Sequence, residues 1–393
     1  MKILIVIDNL NTGGVATSFY NFLDEMHSNA EYDILVFNEN SINKSRLPCN
    51  VKILPTQKVL HVLGKTHVEI SSESKFLMLL RMVLKILATT INGVFARSLL
   101  MPFIHNVGHY DLAIAYSQDD AWKNLSKGCI DFIIRKCCAK CKAVVIHCDY
   151  KTFGGYHPAQ KGQYDRLNNI ICVSESCKKS FCECYPSLQK KTIVCENFTN
   201  SKDILRKASM PSESIPVEYI SGEVRFVTVC RVSPEKGLQR TIEAFYEAES
   251  EGYSNYRWII VGDGPEKKNL ENLIKLKGME KRVILVGNKS NPYPYIKMAS
   301  FFLLPSENEA APMVFGESAV LEVPIITTNT CSAIELVEKR GLGWVVENSK
   351  DGIKKGVINA MKGDYHDINI KRINDINKKA HSQFDAFYKS IDC

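Results

Sequence analysis

The chain of 393 residues carries 50 Lys and Arg against 43 Asp and Glu, and 45% of its residues are hydrophobic. This composition excludes a disordered or fibrous chain, and at about 150 residues per domain the length predicts two or three folded domains. Residues 1–200 hold 23 basic and 17 acidic residues, whereas residues 201–393 hold 27 and 26. The excess positive charge is too mild for a nucleic-acid-binding protein and lies almost entirely in the first half.

Strand and helix patterns alternate along the first half of the chain. Residues 2–7 form an apolar run that is too short for the core of a signal peptide and has the length of a buried parallel strand. The sequence DNLNTGG and a helical pattern over residues 15–26 follow it. Further strands are predicted at residues 33–37, 111–115, 143–146, 169–173 and 192–194, and such alternation indicates a doubly wound parallel sheet.

The most hydrophobic stretch, residues 76–104, is interrupted by Arg81, Lys85 and Arg97 and is too broken to span a bilayer. Two interpretations stay open. The stretch could form an amphipathic helix that lies on an anionic membrane surface. Alternatively, it could form a core helix whose long basic side chains extend to solvent.

The 14 cysteines are numerous for a chain with no predicted signal peptide. A disulfide framework is typical of short secreted domains, so we expect reduced thiols in a cytoplasmic protein. The clusters at residues 137–141 and 172–184 lack the paired C-x2-C units of a zinc ribbon, and small core residues explain them better than a metal site.

The strand and helix pattern starts again in the second half. Residues 201–222 are polar, contain Pro211 and Pro216, and are predicted to be a linker. Strands are predicted after it at residues 225–230, 258–261, 283–286, 301–304, 324–327 and 343–346.

We therefore predict an α/β protein with two Rossmann-like β/α/β domains, residues 1–200 and 223–375, that face a central cleft. A final helix over about residues 376–393 could pack back on the first domain. Ligands of such sheets bind at the carboxyl ends of the strands, which predicts that the chemistry lies between the domains.

Two loops of the second domain contain residues suited to a nucleotide. Arg231 and Lys236, in the sequence CRVSPEKG after the first strand, are two cations that suit a diphosphate. Gly262 and Gly264, in the sequence GDGP after the next strand, allow a tight turn and close approach of a ligand. Each loop alone is a weak signal, but successive strands that end in such loops favour a nucleotide site.

Two further glycine-containing loops are weaker candidates. Gly287, Asn288 and Lys289 follow the third strand and could meet a nucleobase through backbone groups. In the first domain, Gly13 and Gly14 lie between a strand and a helix, where backbone N–H groups can approach an anion. The sequence is not G-x-G-x-x-G, which argues against a two-domain NAD-dependent dehydrogenase.

The strongest signal is the sequence SENEAAPMVFGE, in which seven residues separate Glu309 from Glu317. The first carboxylate lies in a loop and the second in the following helix, so the pair can accept hydrogen bonds from hydroxyl groups of a sugar and a ribose. The helix is predicted to start near Pro312, Met313 and Val314, where free N–H groups can meet a phosphate.

Together these motifs resemble the donor-binding domain of retaining glycosyltransferases of family 4, especially bacterial capsule and lipopolysaccharide enzymes, which have the GT-B fold. The resemblance covers residues 225–346 through the two cations, the GDGP sequence, the NPYPY sequence at 291–295 and the E-x7-E pair. It is looser in the first half, where it rests on Gly13-Gly14, IHCDY at 146–150 and VSE at 173–175.

The resemblance implies a role for each matching residue. Arg231 and Lys236 would neutralise the leaving nucleoside diphosphate, Glu317 would hold the ribose, and Glu309 would contact the donor sugar. His147 of the first domain would touch that sugar, with His157 as a second candidate. No enzyme nucleophile, metal or cofactor is implied, because the nucleotide-sugar is a substrate and side chains stabilise the departing charge.

The implied partners are a nucleotide-sugar donor, most simply a UDP-sugar, and a glycan or lipid-linked acceptor of surface polysaccharide. The implied location is the cytoplasm, with the inner face of the plasma membrane as a candidate surface. Ala310 and Ala311 stand where the family usually has glycine and an aromatic residue. This departure keeps open a catalytically silent subunit that binds a partner enzyme or a glycan.

Overall fold

The computed structural model describes residues 1–11, 13–26, 30–119, 122–125, 127–154, 156–210, 222–365 and 375–391. The chain divides into two compact units: unit 1 comprises Met1–Phe198 and Asn377–Cys393, and unit 2 comprises Thr199–Ile376. Each unit contains a sheet in which every described strand pairing is parallel.

The described strands of unit 1 are β1 (Lys2–Ile7), β2 (Glu31–Val36), β3 (Val51–Ile53), β4 (Val107–Ala115), β5 (Cys137–Ile146), β6 (Asn169–Cys172) and β7 (Thr192–Val194). They lie in the order β3-β2-β1-β4-β5-β6-β7. Residues 3–7 of β1 are fully buried because helices cover both faces of the sheet, which explains their continuous apolar sequence. The sequence predicted every strand except β3, a half-exposed edge strand of three residues.

The helices of unit 1 connect these strands and cover the sheet. Single 3-10 turns lie at Glu39–Ser41, Lys44–Arg46, Lys58–Leu60, Met101–Phe103 and Pro186–Lys191. The described α-helices are α1 (Gly14–Glu25), α2 (His61–Gly64), α3 (His67–Glu73), α4 (Lys75–Thr90), α5 (Gly93–Ser98), α6 (Cys129–Lys136), α7 (Tyr150–Phe153), α8 (Pro158–Asp165) and α9 (Glu175–Cys184).

The described strands of unit 2 are β8 (Val224–Val229), β9 (Tyr256–Val261), β10 (Val283–Gly287), β11 (Phe301–Leu304), β12 (Ile325–Thr328) and β13 (Gly343–Val346). Their order is β10-β9-β8-β11-β12-β13. The first strand, β8, is therefore central, β9 and β10 lie on one side of it, and β11, β12 and β13 lie on the other. This is the doubly wound order of a Rossmann fold, in which the connections diverge between the two central strands. All six strands lie at the positions that the sequence predicted, within two residues at either end.

The helices of unit 2 lie on both faces of its sheet. A 3-10 turn, Pro234–Lys236, and a π-helical turn, Ile334–Glu338, are the irregular elements of its described part. The α-helices are α10 (Ser201–Ala208), α11 (Leu238–Ser250), α12 (Lys267–Leu276), α13 (Tyr293–Lys297), α14 (Met313–Val320) and α15 (Lys350–Lys362), and α16 (Lys378–Lys389) follows in unit 1.

The core of unit 2 consists of two apolar layers, one on each face of the sheet. Alternate residues of one strand enter different layers: Trp258 and Ile260 of β9 pack on one face, whereas Ile259 and Val261 pack on the other. The Trp258 indole is fully buried and donates a hydrogen bond of 2.9 Å to the hydroxyl of Thr228, which removes the cost of burying its N–H group.

The predicted linker over residues 201–222 is helical in its first part. Asn200 caps α10 by accepting a hydrogen bond from the Asp203 amide, and α10 buries Ile204 and Ala208 against α13 and α14. The Asn291 side chain also donates a hydrogen bond to the carbonyl of Lys207. The prediction was wrong for this segment because its polar residues form the exposed face of a packed helix, and residues 211–221 lie outside the described residues.

The last helix, α16, packs on unit 1 although it lies at the other end of the chain. Its Phe384 ring lies 5.1 Å from Phe22 and 5.2 Å from Phe198, measured between ring centroids. The Gln383 side chain accepts a hydrogen bond of 2.9 Å from the amide of Glu196. An aromatic cluster and a polar contact therefore attach the chain terminus to unit 1.

The hydrophobic stretch over residues 76–104 forms α4, α5 and the following 3-10 turn, and two of its cations form hydrogen bonds inside unit 1. The guanidinium of Arg81 donates hydrogen bonds to the carbonyls of Val62 and Lys65. Arg97 is 1% exposed. The interpretation in which the long basic side chains of this stretch extend to solvent therefore does not hold for Arg97, whose donors are satisfied inside unit 1, and Arg81 is only half-buried.

Arg97 forms a buried charge cluster with two carboxylates. Its Nη2 atom lies 2.7 Å from Asp119 Oδ2, and its Nε atom lies 2.7 Å from Asp131 Oδ2. Asp119 also accepts hydrogen bonds from the amide of Gly128 and the side chain of Gln163. Asp119 thus belongs to a structural ion-pair cluster.

Burial raises the pKa of Asp119, and the nearby Asp131 carboxylate opposes ionisation further while Arg97 favours it. A buried ion pair of this kind is costly to break because the remaining charges stay desolvated. The cluster joins α5, α6 and the loop after β4, so it fixes these elements to one another.

No helix in the described ranges is long and apolar enough to cross a membrane. The described cysteines form no disulfide, and burial raises the pKa of the Cys172 and Cys195 thiols well above the usual value. Both residues lie in the core of unit 1, where they pack as small apolar side chains.

Replacing the buried guanidinium tests the importance of this cluster. We expect Arg97→Leu to lower the free energy of unfolding of unit 1 by about 3–5 kcal/mol, because Asp119 and Asp131 lose their counter-charge while buried. The measurement is urea unfolding followed by circular dichroism. Arg135→Leu, at an exposed position of α6, is the matched control and should change stability by less than about 0.5 kcal/mol. Equal stability of the two variants would contradict the account.

Candidate functional site

The loops of unit 2 that hold the predicted site residues follow the four adjacent strands β10, β9, β8 and β11. β9, β8 and β11 are neighbours in the sheet, and their carboxyl ends therefore lie at one edge. The connections after β8 and β11 lead to opposite faces, which opens the sheet between them. Ligands of open α/β sheets bind at such a point, and the predicted cations and carboxylates lie on the two loops that flank it.

An ion pair connects these two loops. Lys236, at the end of the 3-10 turn after β8, places its Nζ atom 2.6 Å from Oε1 of Glu309, in the loop after β11. The buried hydroxyl of Ser306 donates a second hydrogen bond of 2.7 Å to the same oxygen. The side chains of Lys236 and Glu309 are 19% and 13% exposed, so the pair is partly desolvated but still reachable. No described residue donates a hydrogen bond to Oε2 of Glu309, which leaves that oxygen available to a hydroxyl group.

Glycines allow the backbone of neighbouring loops to come into contact. A Cβ atom on Gly262 would lie 1.8 Å from the carbonyl oxygen of Cys230, and one on Gly264 would lie 2.2 Å from that of Val232. The amide of Val232 in turn donates a hydrogen bond of 3.0 Å to the carbonyl of Asp263. The sequence analysis assigned Gly262 and Gly264 to close approach of a ligand, and in this structure the group that approaches them is the loop after β8.

Arg231 and Glu235 precede Lys236 on the same loop. Arg231 is exposed and forms no ion pair with any described residue, so its guanidinium can turn toward a ligand. Burial opposes ionisation of Glu235, but a hydrogen bond from Ser233 and the charges of Lys236 and Arg231 outweigh it and lower its pKa. The loop therefore presents the cations Arg231 and Lys236, and its carboxylate, Glu235, is held by a hydrogen bond from Ser233.

The loop after β10 contributes backbone rather than side chains. Gly287 has a φ of 75°, and its carbonyl accepts a hydrogen bond of 2.9 Å from the amide of Gly262. Asn288 is exposed and Lys289 is half-buried. These residues lie at the same sheet edge as Gly262, one strand farther from the ion pair.

The helix that carries Glu317 begins at the ion-pair loop. α14 starts at Met313 with Pro312 before it, and no side chain caps its first turn, so N–H groups of Met313 and Val314 face the loop end of the helix. Glu317 lies one turn farther along and is 7% exposed. The positive end of the helix dipole and Glu309 therefore lie on one continuous segment.

Ala310 and Ala311, which depart from the family pattern, introduce no backbone strain. Neither has a positive φ, so a glycine is not required at either position. The carbonyl of Ala310 accepts a hydrogen bond from the hydroxyl of Ser332. The loop therefore tolerates alanine there without the conformational cost that a left-handed residue would bear.

Hydroxyl groups that the sequence analysis did not assign hold the ion-pair loop. The Thr328 hydroxyl, at the end of β12, donates to the carbonyl of Ser306, and the Ser332 hydroxyl donates to Ala310. Arg240 donates from Nη2 to the carbonyl of Pro305 at 2.9 Å. The signals available in the sequence were Ser306, inside the motif SENEAAPMVFGE, and Thr327 and Thr328, at the end of β12. The hydrogen bonds of Thr328 and Ser332 to this loop span 22 residues, so no local pattern shows them.

The candidates of unit 1 also lie at the carboxyl edge of its sheet. Gly13 precedes α1, whose first residue is Gly14, and Gly13 has a φ of 153° with open space where a Cβ would be. Asp8, at the end of β1, accepts a hydrogen bond of 2.9 Å from the Ser117 hydroxyl, after β4. β1 and β4 are the central pair where the strand order of unit 1 reverses, so this edge is the equivalent point of the first sheet.

His147 follows β5 at this edge and is held by the loop after β4. Its Nε2 atom lies 2.9 Å from the carbonyl oxygen of Tyr116, so Nε2 carries the proton and donates. Its amide donates to the Gln118 side chain at 3.0 Å. Burial lowers the pKa of His147 to about 4, so the ring is neutral at pH 7 and its Nδ1 atom has a free lone pair. Such a ring can accept a hydrogen bond from a hydroxyl group.

His157, the second histidine candidate, has structural partners. Its Nδ1 atom accepts a hydrogen bond from the amide of Ala159 and thereby caps α8. Its ring stacks on Trp122 at 4.3 Å between centroids. Both contacts explain why a histidine is present at this position without a role in binding.

The residues after His147 in the predicted motif are also structural. Asp149 caps α7 and accepts a hydrogen bond from the Ser180 hydroxyl. Tyr150 is buried, and its hydroxyl lies 2.8 Å from that of Tyr164. These contacts hold in place the residues that follow His147 in the sequence.

The described side chains include no group of three or more His, Cys, Asp or Glu residues that could hold a metal ion. The cationic groups at the edge of unit 2 are Arg231, Lys236 and the start of α14. The arrangement can therefore bind a negatively charged group beside a carboxylate that accepts hydrogen bonds.

The whole chain has the GT-B fold. It is similar to the crystal structure of HepE from Anabaena in complex with UDP, with 15% sequence identity, a TM-score of 0.67 and complete coverage of both chains. At this identity the likeness shows the fold alone. The predicted class, α/β with two Rossmann-like domains of the GT-B type, is confirmed.

Residues 214–382 match the model of the family described as glycosyl transferases group 1. Two curated relatives are the O-antigen biosynthesis glycosyltransferase WclY of Escherichia coli, 29% identical over 42% of this chain, and the capsular polysaccharide biosynthesis glycosyltransferase CapM of Staphylococcus aureus, 26% identical over 46%. The match covers 44% and 48% of those proteins, less than half their length. The resemblance to glycosyltransferases is thus supported over unit 2, and membership of family 4 stays a prediction.

The lowered pKa of His147 predicts a pH dependence of stability. The ordinary histidine pKa of about 6.5 applies to the unfolded chain, whereas the folded value is about 4, so the unfolded chain binds the proton first as pH falls. Stability is therefore lost between about pH 6.5 and pH 4. We expect the wild type to lose on the order of 3 kcal/mol more than His147→Gln between pH 7 and pH 4.

Urea unfolding at the two pH values measures this difference. Glutamine can still donate a hydrogen bond to the carbonyl of Tyr116, so the substitution removes the titration and keeps the contact. His109→Gln, at an exposed position of β4, is the control and should keep the wild-type loss. The same loss in His147→Gln as in wild type would show that His147 is not the neutral histidine described above.

Proposed function

We propose that the protein is a retaining glycosyltransferase of the family 4 type that transfers a sugar from a nucleotide-sugar, most simply a UDP-sugar, to an acceptor hydroxyl. The observation that carries the proposal is the Lys236–Glu309 ion pair at the point where the strand order of unit 2 reverses. A cation for a diphosphate and a carboxylate for a sugar hydroxyl are adjacent there, as a nucleotide-sugar requires.

Each group at this edge has a proposed part in the reaction. Lys236 and Arg231 neutralise the charge that develops on the leaving diphosphate, and the N–H groups at the start of α14 add to it. Glu317 holds the ribose, and Glu309 accepts a hydrogen bond from the donor sugar through Oε2. The residues 287–289 meet the base. In unit 1, a neutral His147 can accept a hydrogen bond from a hydroxyl group through Nδ1.

The proposed stereochemical course is retention without an enzyme nucleophile. The bond between the anomeric carbon and the diphosphate oxygen breaks, and the acceptor hydroxyl oxygen attacks the anomeric carbon from the same face. The departing phosphate oxygen takes the proton of that hydroxyl group. A glycosidase would instead need two carboxylates on either side of the bond. Here cations surround the proposed leaving group, which favours departure of a diphosphate, and the proposed reaction needs no metal.

The biological setting is proposed from the relatives named above, which act in O-antigen and capsular polysaccharide biosynthesis according to their names. The acceptor is then a growing glycan or a lipid-linked sugar, and the reaction takes place in the cytoplasm. The UDP bound to HepE favours a uridine nucleotide as the donor.

Release of UDP tests the proposal most simply. Purified protein is incubated with a panel of UDP-sugars and a lipid-linked oligosaccharide extract, and free UDP is measured. We expect Lys236→Ala to lower the rate by about 10²–10³-fold, because it removes a charge that acts on the transition state. Glu309→Gln should lower it by a smaller factor, about 10–10²-fold, since the amide keeps one acceptor oxygen.

Glu307→Gln is the matched control because its carboxylate is exposed and lies two residues from Glu309. It should retain the rate within about twofold. Full activity of both Lys236→Ala and Glu309→Gln would show that the site lies elsewhere. Binding of UDP without turnover of any UDP-, GDP- or ADP-sugar would instead favour the silent subunit that Ala310 and Ala311 left open.

A further inference from the structure

The solvent face of α4 carries several large apolar side chains in addition to its polar ones. Leu77, Leu84 and Ala88 are the buried residues of this helix. At 100° per residue, the opposite side of the helix carries the large exposed side chains Phe76 (72% exposed), Leu79 (60%), Met82 (48%), Val83 (48%) and Ile86 (61%). We name these five residues the α4 face.

An ordinary surface helix carries charged and polar residues opposite its buried stripe. Among the apolar residues of α4, Leu79 and Ile86 point most directly away from the core. Five large apolar side chains on one arc of a single helix form a contiguous patch rather than isolated exposed residues, and such patches mark interaction sites. The α5 helix, which lies against α4, adds the exposed Phe95, and the exposed Leu99 follows it.

The charge around the α4 face has one sign. Lys75 and Lys85 are exposed on α4 and form no ion pair with any described residue. The whole segment from residue 74 to residue 110 contains no Asp or Glu. The nearest acidic side chains before it, Glu69 and Glu73, are held by hydrogen bonds within unit 1: Glu69 to Thr66 and Glu73 to Lys65.

We propose that the α4 face docks on an anionic lipid surface, with its apolar side chains in the interface and Lys75 and Lys85 at the level of the headgroups. Charge complementarity selects this occupant. A second copy of the chain would bring the same lysines together without a counter-charge, whereas anionic headgroups supply one. The helix is too short and too charged to cross the bilayer, so it lies along the surface.

The proposal goes beyond the proposed glycosyl transfer and does not depend on it. The α4 face belongs to unit 1, whereas the ion pair that carries the proposed function belongs to unit 2. If both hold, the inner face of the plasma membrane is the surface, and lipid-linked acceptors are brought to the enzyme there. Binding to vesicles can be measured without donor or acceptor, so failure of one proposal is distinguishable from failure of the other.

The test is co-sedimentation of the full chain with vesicles of phosphatidylcholine that contain about 30% phosphatidylglycerol. We expect binding that weakens at about 0.5 M NaCl, because the lysine contribution is screened. Leu79→Ser with Ile86→Ser should weaken binding by at least tenfold, since both side chains leave water on docking. Lys75→Gln with Lys85→Gln should weaken it by about fivefold for each lysine.

Two controls match these changes in chemistry but lie in unit 2. Leu276→Ser removes an apolar side chain that is 81% exposed, and Lys297→Gln removes an exposed lysine. Both should bind like the wild type. No binding to anionic vesicles, equal binding to vesicles of phosphatidylcholine alone, or equal binding of the α4 variants would overturn the proposal. A dimer in analytical ultracentrifugation that Ile86→Ser dissociates would overturn it in favour of a second copy.

Discussion

The contact between Lys236 and Glu309 is the interaction on which the candidate site depends. It joins the loops of the two central strands of unit 2 at the point where the sheet opens. A lysine alone would be a mobile point charge, and a glutamate alone would repel a phosphate. Paired at 2.6 Å and held by Ser306, each fixes the position of the other, and a diphosphate and a sugar hydroxyl have separate partners.

Close backbone contacts at two glycines and hydrogen bonds from two hydroxyl groups arrange the loops around this pair. Gly262 and Gly264 let the loop after β9 touch the loop after β8, and the Cβ of any other residue would overlap with carbonyl oxygens. Thr328 and Ser332 hold the loop after β11 from the other side. The site is therefore built by three loops that pack on one another, and a ligand would meet a surface that is already formed.

Much of this could be predicted from the sequence because parallel strands leave a strong local signal. Buried runs such as residues 2–7 and 258–261 identify strands, and strand ends identify the binding edge. Residues 201–208 were predicted to be part of a linker because most of them are polar. Only Ile204 and Ala208 are buried in this helix, and two apolar residues are too few to show a helical pattern in the sequence. Arg97 was misjudged because its two carboxylates lie 22 and 34 residues away, and no local pattern reports such a partner.

The two units use charge in different ways. Unit 1 buries one arginine between two carboxylates and leaves two lysines beside an apolar helix face, whereas unit 2 places its cations beside the end of a strand. The net charge of the first half of the chain was therefore informative only after it was resolved into individual side chains.

The most direct test of the central claim is titration of UDP into the wild type, Lys236→Met and Glu309→Gln by isothermal calorimetry. If Lys236 binds the diphosphate and Glu309 binds the sugar, loss of the lysine should weaken UDP binding by about 10–100-fold, as expected for a charged hydrogen bond. Loss of the Glu309 charge should leave UDP affinity equal or higher, because the lysine is released from its partner and a negative charge is removed. Equal weakening by both substitutions, or no effect of Lys236→Met, would contradict the account.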